Sequence, residues 1–262
     1  MGKRLIGSAI VLGVAIPCLW LGGIVFNIFA FILAGLAIFE LINASKDLRK
    51  IPSFVKAISL ISLPIVVGLN ISASLYVGVD FYTLLIPVII LMGISLFTYK
   101  KGYGMNEAFK LSMISLFVSF ICLTFISICK INRTLLIYLI IIAVATDVFA
   151  YVGGKLIGKH KFTKISPNKT IEGCVIGAIV GTILSFIYYI KFLPVSNGVL
   201  IFAITLLLSI VGEMGDLIFS LIKRENDIKD YSKLIPGHGG VCDRLDSLSF
   251  IVLVFVILFK FI

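Results

Sequence analysis

Nine runs of apolar residues divide this chain, at about Leu5–Leu21, Gly22–Ile42, Val55–Tyr76, Phe81–Phe97, Leu111–Cys129, Leu135–Val152, Gly173–Ile190, Gly198–Ile222 and Leu248–Ile262. A helix needs about 20 apolar residues to cross a hydrocarbon layer about 30 Å thick, so most of these runs have the length of a membrane span. Composition agrees: 60% of residues are hydrophobic, 14% are charged and the mean hydropathy is +1.17. Soluble domains run nearer 45–50% apolar and about 25% charged, so one globular core could not hide this much apolar surface. A soluble enzyme, a disordered chain, a collagen-like repeat and a disulfide scaffold are excluded. Period-two alternation is absent, which argues against an outer-membrane barrel. The expectation is an all-α polytopic membrane protein with about eight to nine transmembrane helices. The first pair, joined by Gly22-Gly23 after Pro17, reads as a tight hairpin or a bent element, and the last run is short for a full crossing.

The basic residues are unevenly placed. If all nine runs cross, 19 of the 23 Lys and Arg fall on the side of the N-terminus and of segments 43–54, 98–110, 153–172 and 223–247, with Lys56 counted there. Lys130, Arg133, Lys191 and Lys260 fall on the other. The positive-inside rule makes the basic side cytoplasmic, and a cell inner or plasma membrane is expected. Met1-Gly-Lys-Arg opens like a signal peptide, but no clear small-x-small cleavage site follows, so the first run reads as a retained helix. The five cysteines form no Cys-x-x-Cys pair and read as packing residues. The chain is read as one structural unit, with N-terminal helices over 1–134 and a catalytic region over 135–262.

Ionisable side chains within spans are costly and usually mark a site. Glu40 lies at the end of the second run, where reaching water accounts for it. Asp147 sits in the last turns of the sixth run, and Glu213 and Asp216 lie three residues apart in the eighth, on one helical face. The loops after these helices carry further chemistry. Segment 153–172 holds five lysines, and Ser166-Pro167 reads as a helix N-cap with Pro at the first helical position. A helix N-terminus beside Lys169 and Thr170 would be a phosphate site.

Segment 223–247 is the more informative. Asp243 and Asp246 are again three apart, and carboxylates suit a hard divalent cation that also takes phosphate oxygens. Lys223, Arg224, Lys229, Lys233 and Arg244 supply donors to phosphate, and Pro236-Gly-His238-Gly239-Gly240 would let backbone approach a ligand closely. Acids for metal and bases for phosphate at a membrane face point to phosphoryl or nucleotidyl transfer onto a lipid.

This segment resembles the phosphatidate cytidylyltransferase (CDP-diacylglycerol synthase) family. The family pattern has fixed positions matched by Ser220, Lys223, Arg224, Lys229, Asp230, Ser232, Ile235, Pro236, His238, Gly239, Gly240, Asp243, Arg244 and Asp246. Asp147, Tyr151, Gly154, Gly158-Lys159 and Ser166-Pro-x-Lys169-Thr170-x-Glu172-Gly173 are similar as well; Asn168, where a second Lys is frequent, departs. Clear resemblance spans about Asp147–Ser247. It implies CTP + phosphatidic acid → CDP-diacylglycerol + pyrophosphate with Mg²⁺, two cations being expected. Implied catalytic residues are Asp216, Lys223, Arg224, Asp243, Arg244 and Asp246, with Asp216, Asp243 and Asp246 as metal ligands and Glu213 or Asp147 in support. Implied substrate-binding residues are Asp147, Tyr151, Ser166, Lys169, Thr170, Lys229, Asp230, His238, Gly239 and Gly240. His238 reads either as a donor to pyrophosphate or nucleotide or as a loop-ordering residue, Asp230 as an ion-pair partner or a metal group, and Tyr151 also as an interface aromatic.

The expected partners are CTP and membrane phosphatidic acid, not nucleic acid; a homodimer is left open. Three rivals are weaker. A secondary transporter would hold its polar site near the midplane in broken helices, whereas these residues collect at helix ends. A CDP-alcohol phosphotransferase would need its own Asp-x-x-Asp-Gly pattern, and a scaffold would not need the acid–base loop.

Overall fold

The computed structural model describes residues 2–73, 81–237 and 239–259, and among them every regular element is helical. The helices are α1 (Gly2–Leu21), α2 (Gly23–Ala44), α3 (Ser53–Ala73), α4 (Phe81–Thr98), α5 (Met105–Ile131), α6 (Arg133–Ile157), α7 (Ile171–Phe192), α8 (Gly198–Glu225) and α9 (Cys242–Leu258). Six segments among the described residues are long and apolar enough to cross a membrane: Gly23–Ala44, Thr83–Lys101, Met105–Ile131, Arg133–Ile157, Ile171–Phe192 and Gly198–Glu225. The ends of the third and ninth apolar runs, at 74–76 and 260–262, lie outside the described residues. Pro17, Pro64 and Pro87 sit inside α1, α3 and α4. Neighbouring helices and local hydrogen-bond adjustment make such prolines tolerable in spans. The break between α1 and α2 is one residue, Gly22, at φ 59° and ψ −153°, a conformation open essentially to glycine.

The chain divides into two compact units. The first comprises residues up to Lys130 and Asn226–Asp243; within it α1 packs on α2, α2 on α3 and α3 on α4. Ala30, Ala34, Ala37 and Leu41 recur along the buried side of α2 at three- and four-residue spacing. The second comprises Ile131–Glu225 and the residues from Arg244 onward, with α6, α7 and α8 packed against one another.

The second unit is built around a very close α6–α7 pair. Lipid gives helices no hydrophobic reason to associate, so small residues that let backbones touch carry the contact. Gly173, Gly177 and Gly181 repeat every four residues on α7 and face Thr146, Ala150 and Gly154 of α6. A Cβ on Gly177 would lie 2.7 Å from both the Thr146 carbonyl oxygen and the Ala150 Cβ, and one on Gly173 would lie 2.6 Å from the Ala150 carbonyl oxygen. Polar contacts add to it: the Tyr138 and Thr205 hydroxyls lie 2.6 Å apart and those of Thr182 and Ser209 3.2 Å apart.

Asn132 caps α6 by accepting the Thr134 N–H at 2.8 Å. For α7 the structure corrects the sequence expectation. The cap is Thr170, whose hydroxyl accepts the Gly173 N–H at 3.1 Å, while Ser166-Pro167 opens a turn in which the Ser166 carbonyl accepts the Lys169 N–H. Pro at the second position of such a turn has its φ already set. Segment 158–170 is pinned by paired backbone bonds, Phe162 N–H to Lys169 O and Ile171 N–H to His160 O, both 2.9 Å.

Overpacking a tight contact costs about 1–3 kcal/mol, so Gly177→Leu should lose stability on that scale in thermal unfolding of the detergent-solubilised protein. Gly35→Ala, at a position where a Cβ meets nothing within 4 Å, should unfold like the wild type.

Candidate active site

In the second unit, Asp147 of α6, Glu213 and Asp216 of α8 and Asp246 of α9 form an acidic group that Lys169 joins; Asp147 and Asp216 stand well inside their helices, not in the last turns the sequence suggests for Asp147. The close α6–α7 contact sets this up: a Cβ on Gly154 would lie 2.9 Å from Thr170 Oγ1, so the N-cap of α7 sits directly on the last turns of α6. Lys169, one residue before that cap, is thereby delivered to the acids. Its ammonium lies 2.7 Å from Asp216 Oδ2, with the two side chains 18% and 23% exposed. Burial works against the Lys169 charge, and the Asp216 carboxylate, helped by Asp147 and Glu213, outweighs it, holding the ammonium above the usual lysine range.

α8 and α9 complete the group. Gly215 leaves no room for a side chain, since a Cβ there would be 2.8 Å from the Asp246 carbonyl oxygen and 2.9 Å from the Phe250 ring. This approach puts the Asp246 carboxyl in hydrogen-bond contact with Asp216. Asp246 Oδ1 also accepts the Ser247 N–H at 2.8 Å, and the Ser247 hydroxyl is 3.5 Å from Asp147 Oδ2. Glu213 is buried, bonded by the Cys174 thiol, and its Oε1 has no hydrogen-bond partner. Lys223, buried in the last turn of α8, acts on Asp216 electrostatically.

Two carboxylates in contact cannot both stay ionised without a proton or a cation between them. Four acids around Lys169, with one buried oxygen unpaired, form a hard-oxygen donor set in excess of its positive charge, and this suits Mg²⁺. Among the described residues no three His, Cys, Asp or Glu side chains converge closely enough to hold a metal ion by themselves. Mg²⁺ typically takes one or two carboxylates and completes its shell with water and substrate phosphate, so the Asp216–Asp246 pair fits that mode.

Near the other end of segment 158–170, Glu172 accepts the Lys159 and His160 N–H groups at 3.1 and 3.2 Å and pairs with the exposed His160 ring at 2.6 Å. Arg224 Nε reaches the Ile165 carbonyl at 3.5 Å. Tyr151 is 72% exposed, and Arg244 is exposed.

The first unit holds the rest of the sequence motif, and here the reading of Glu40 is corrected. Glu40, read as an acid reaching water, is 3% exposed. Its Oε1 accepts the Ser232 hydroxyl at 2.7 Å and the Val241 N–H at 2.9 Å, and its Oε2 accepts the Cys242 N–H at 2.8 Å. Asp243 Oδ2 accepts the Tyr231 and Gly240 N–H groups, both at 2.9 Å. The Gly239-Gly240 pair, expected to admit a ligand, admits these two carboxylates: a Cβ on Gly239 (φ +82°) would lie 2.6 Å from Asp243 Oδ2, and one on Gly240 would run into the Glu40 carboxylate. The backbone donors of 240–242 are therefore already engaged by the chain's own acids. Asp243 orders the loop with one oxygen, and its expected metal role rests on the resemblance alone. Lys229 and Asp230 are exposed, and His238 lies outside the described residues.

The profile of the cytidylyltransferase family matches residues 2–262. The chain belongs to that family. Curated relatives extend over the same length. A Staphylococcus aureus (strain COL) protein named phosphatidate cytidylyltransferase is 34% identical over 257 residues, 96% of each chain. Proteins of the same name from Staphylococcus haemolyticus (strain JCSC1435) and Staphylococcus epidermidis (strain ATCC 12228) are each 32% identical over 256 residues, again 96% of each chain. The likeness thus reaches beyond Asp147–Ser247 into the N-terminal helices of this cytidylyltransferase-family member, which carry Glu40.

Removing one partner of a buried ion pair costs up to about 3–5 kcal/mol, and partial exposure lowers this, so Lys169→Met should destabilise the protein by about 2–3 kcal/mol. The Lys169→Met, Asp216→Asn double variant should recover much of the loss in a thermal-unfolding cycle. Because the Lys169 charge is held above its unfolded value of about 10.4, the lysine's share of the stabilisation is present below that pH and is lost as pH rises through the folded value, while protonation of Asp216 removes the pair in acid. The wild type minus Lys169→Met difference should therefore shrink as pH is taken above about 10.4.

Proposed function

We propose that this protein is a phosphatidate cytidylyltransferase, transferring CMP from CTP to phosphatidic acid to give CDP-diacylglycerol and pyrophosphate. The observation that carries this reading is identity of 32–34% over 96% of the chain to proteins of that name. The acid–lysine cluster on α6, α8 and the start of α9 supplies the chemistry such a reaction requires.

A phosphatidate oxygen attacks the α-phosphorus of CTP, a new P–O bond forms in line with the breaking bond to the β-phosphate oxygen, and pyrophosphate leaves with that electron pair. The second pKa of a phosphomonoester is near 6, so the nucleophile is already anionic at neutral pH and needs no general base. The difficulty lies in bringing two anions together. Lys169, Lys223, Arg224 and Arg244 would bind and orient phosphate oxygens, the arginines in bidentate fashion. Asp216 and Asp246, supported by Asp147 and Glu213, would hold Mg²⁺, which when bound neutralises phosphate charge and steadies the leaving pyrophosphate. We read the 19 clustered basic residues as cytoplasmic, which turns the site to the compartment that holds CTP, and read the apolar runs as eight to nine crossings in a cell or plasma membrane.

Purified protein in detergent, given Mg²⁺, phosphatidate and CTP labelled at the α-phosphorus, should yield labelled lipid, while β-label should appear in pyrophosphate. Chelation should stop turnover and Mg²⁺ should restore it. Asp246→Asn should lower kcat by about a hundredfold or more, as loss of a group that acts on transferring phosphate does. Label that never enters lipid, or undiminished turnover in Asp246→Asn, rejects the assignment.

A further inference from the structure

Within the segment from Tyr231 to Cys242 the Ile235 N–H donates to the Gly239 carbonyl at 2.9 Å, and Gly237 and Gly239 both take positive φ. Two carboxylates add to its order. Asp243 belongs to the segment's own end, so it can shape the loop locally without anchoring it. Glu40 comes from α2, about 200 residues away in sequence, and joins Ser232 near the loop's beginning to Val241 and Cys242 at its end. The far end of the loop is attached to the same region: the Lys46 N–H donates to Asn226 Oδ1 at 3.1 Å and the Lys46 ammonium pairs with Asp227 at 2.5 Å. That second attachment is exposed and therefore weak. Glu40 is the buried one.

Charge is essential to the contact. Three donors converge on two oxygens, with Oε1 taking two and Oε2 taking one. An amide in the same place would turn its NH₂ toward at least one N–H whichever way it faced. The carboxylate also sits at the first residue of α9, where the helix dipole and the unpaired N–H groups favour an anion. At such N-termini the anion is often a ligand's phosphate; here the protein supplies it.

We propose that Glu40 is a positioning residue, a built-in anion that fixes the 231–242 segment to α2 and so sets the conformation in which the motif-bearing loop works. The effect on transfer rests on the cytidylyltransferase reading; the anchoring does not. Nothing in the sequence motif includes Glu40, and it touches no substrate group in this account.

The test uses the full chain in detergent, with hydrogen exchange by mass spectrometry alongside the transfer assay. Glu40→Gln should raise amide exchange within 231–243 and leave α6–α8 at wild-type rates. It should also lower transfer by about tenfold or more, the usual scale for losing a residue that orients site groups. Glu40→Asp keeps the charge and both acceptor oxygens but is a methylene shorter, and it should recover more activity and protection than the nearly isosteric Gln. The opposite order, exchange spread evenly over the protein, or wild-type protection of 231–243 in Glu40→Gln overturns the proposal. Should the Gln variant fail to fold, Ser232→Ala removes one donor and leaves the charge; it should raise exchange around 231–235, and unchanged exchange there overturns the proposal equally. Exchange needs no substrate, so these results stand apart from the wild-type assay that decides the function.

Discussion

A carboxylate set in an apolar helix has no water to solvate it, and each acid buried in these helices must be answered by another part of the chain. The answers differ in kind. Glu40 is met by a hydroxyl and two backbone N–H groups, so its charge is spent on holding structure. Asp216 is met by an ammonium at 2.7 Å, and its other contact is a second acid, Asp246. The first arrangement is closed, every acceptor in use. The second gathers more carboxyl groups than Lys169 alone can answer and has a buried Glu213 oxygen with no hydrogen-bond partner. An unbalanced group of this sort costs stability unless something else arrives, which is why it reads as machinery and the Glu40 contact reads as scaffold.

Glycine is what makes the unbalanced group possible. Charged side chains on neighbouring helices would not meet if the helices stood at ordinary separations. The four-residue glycine repeat of α7 lets the backbones of α6 and α7 touch, and Gly215 lets α9 come against α8. Both contacts lie within a turn or two of the acids they serve. Packing in this unit therefore does more than replace lipid: it sets the distance from Lys169 to Asp216.

The sequence is legible where physics acts along the chain and obscure where it acts across it. Apolar run length marks the helices because each must satisfy its own backbone in lipid. Glu213 and Asp216 could be assigned a common face from spacing alone. Ser166-Pro167 has the local chemistry of a helix start, yet Thr170 takes the cap, because the paired backbone bonds of 158–170 carry the chain four residues further before it can coil. Glu40 was less legible still. Its partners are N–H groups, which no residue type advertises, and they lie about 200 positions away. The carboxylates beside Gly239-Gly240 are equally hidden, since a glycine that admits a phosphate and one that admits the chain's own carboxylate look identical in sequence.

This last point narrows where substrate phosphate can be held. A loop rich in glycine at a helix N-terminus suggests a cradle of backbone N–H groups, but the donors of Gly240, Val241 and Cys242 are taken by Asp243 and Glu40. Lysine and arginine side chains would then carry much of the recognition in the proposed reaction. Such a site depends on full positive charges rather than on oriented dipoles, and it can face two polyanionic substrates only if it holds cations in surplus. The formal charge of +10 is consistent with that demand: the basic residues that would orient the helices are drawn from the same segments as those that would bind phosphate. Acids are then needed in the same place for the opposite reason, to recruit a metal ion into a region that would otherwise repel it.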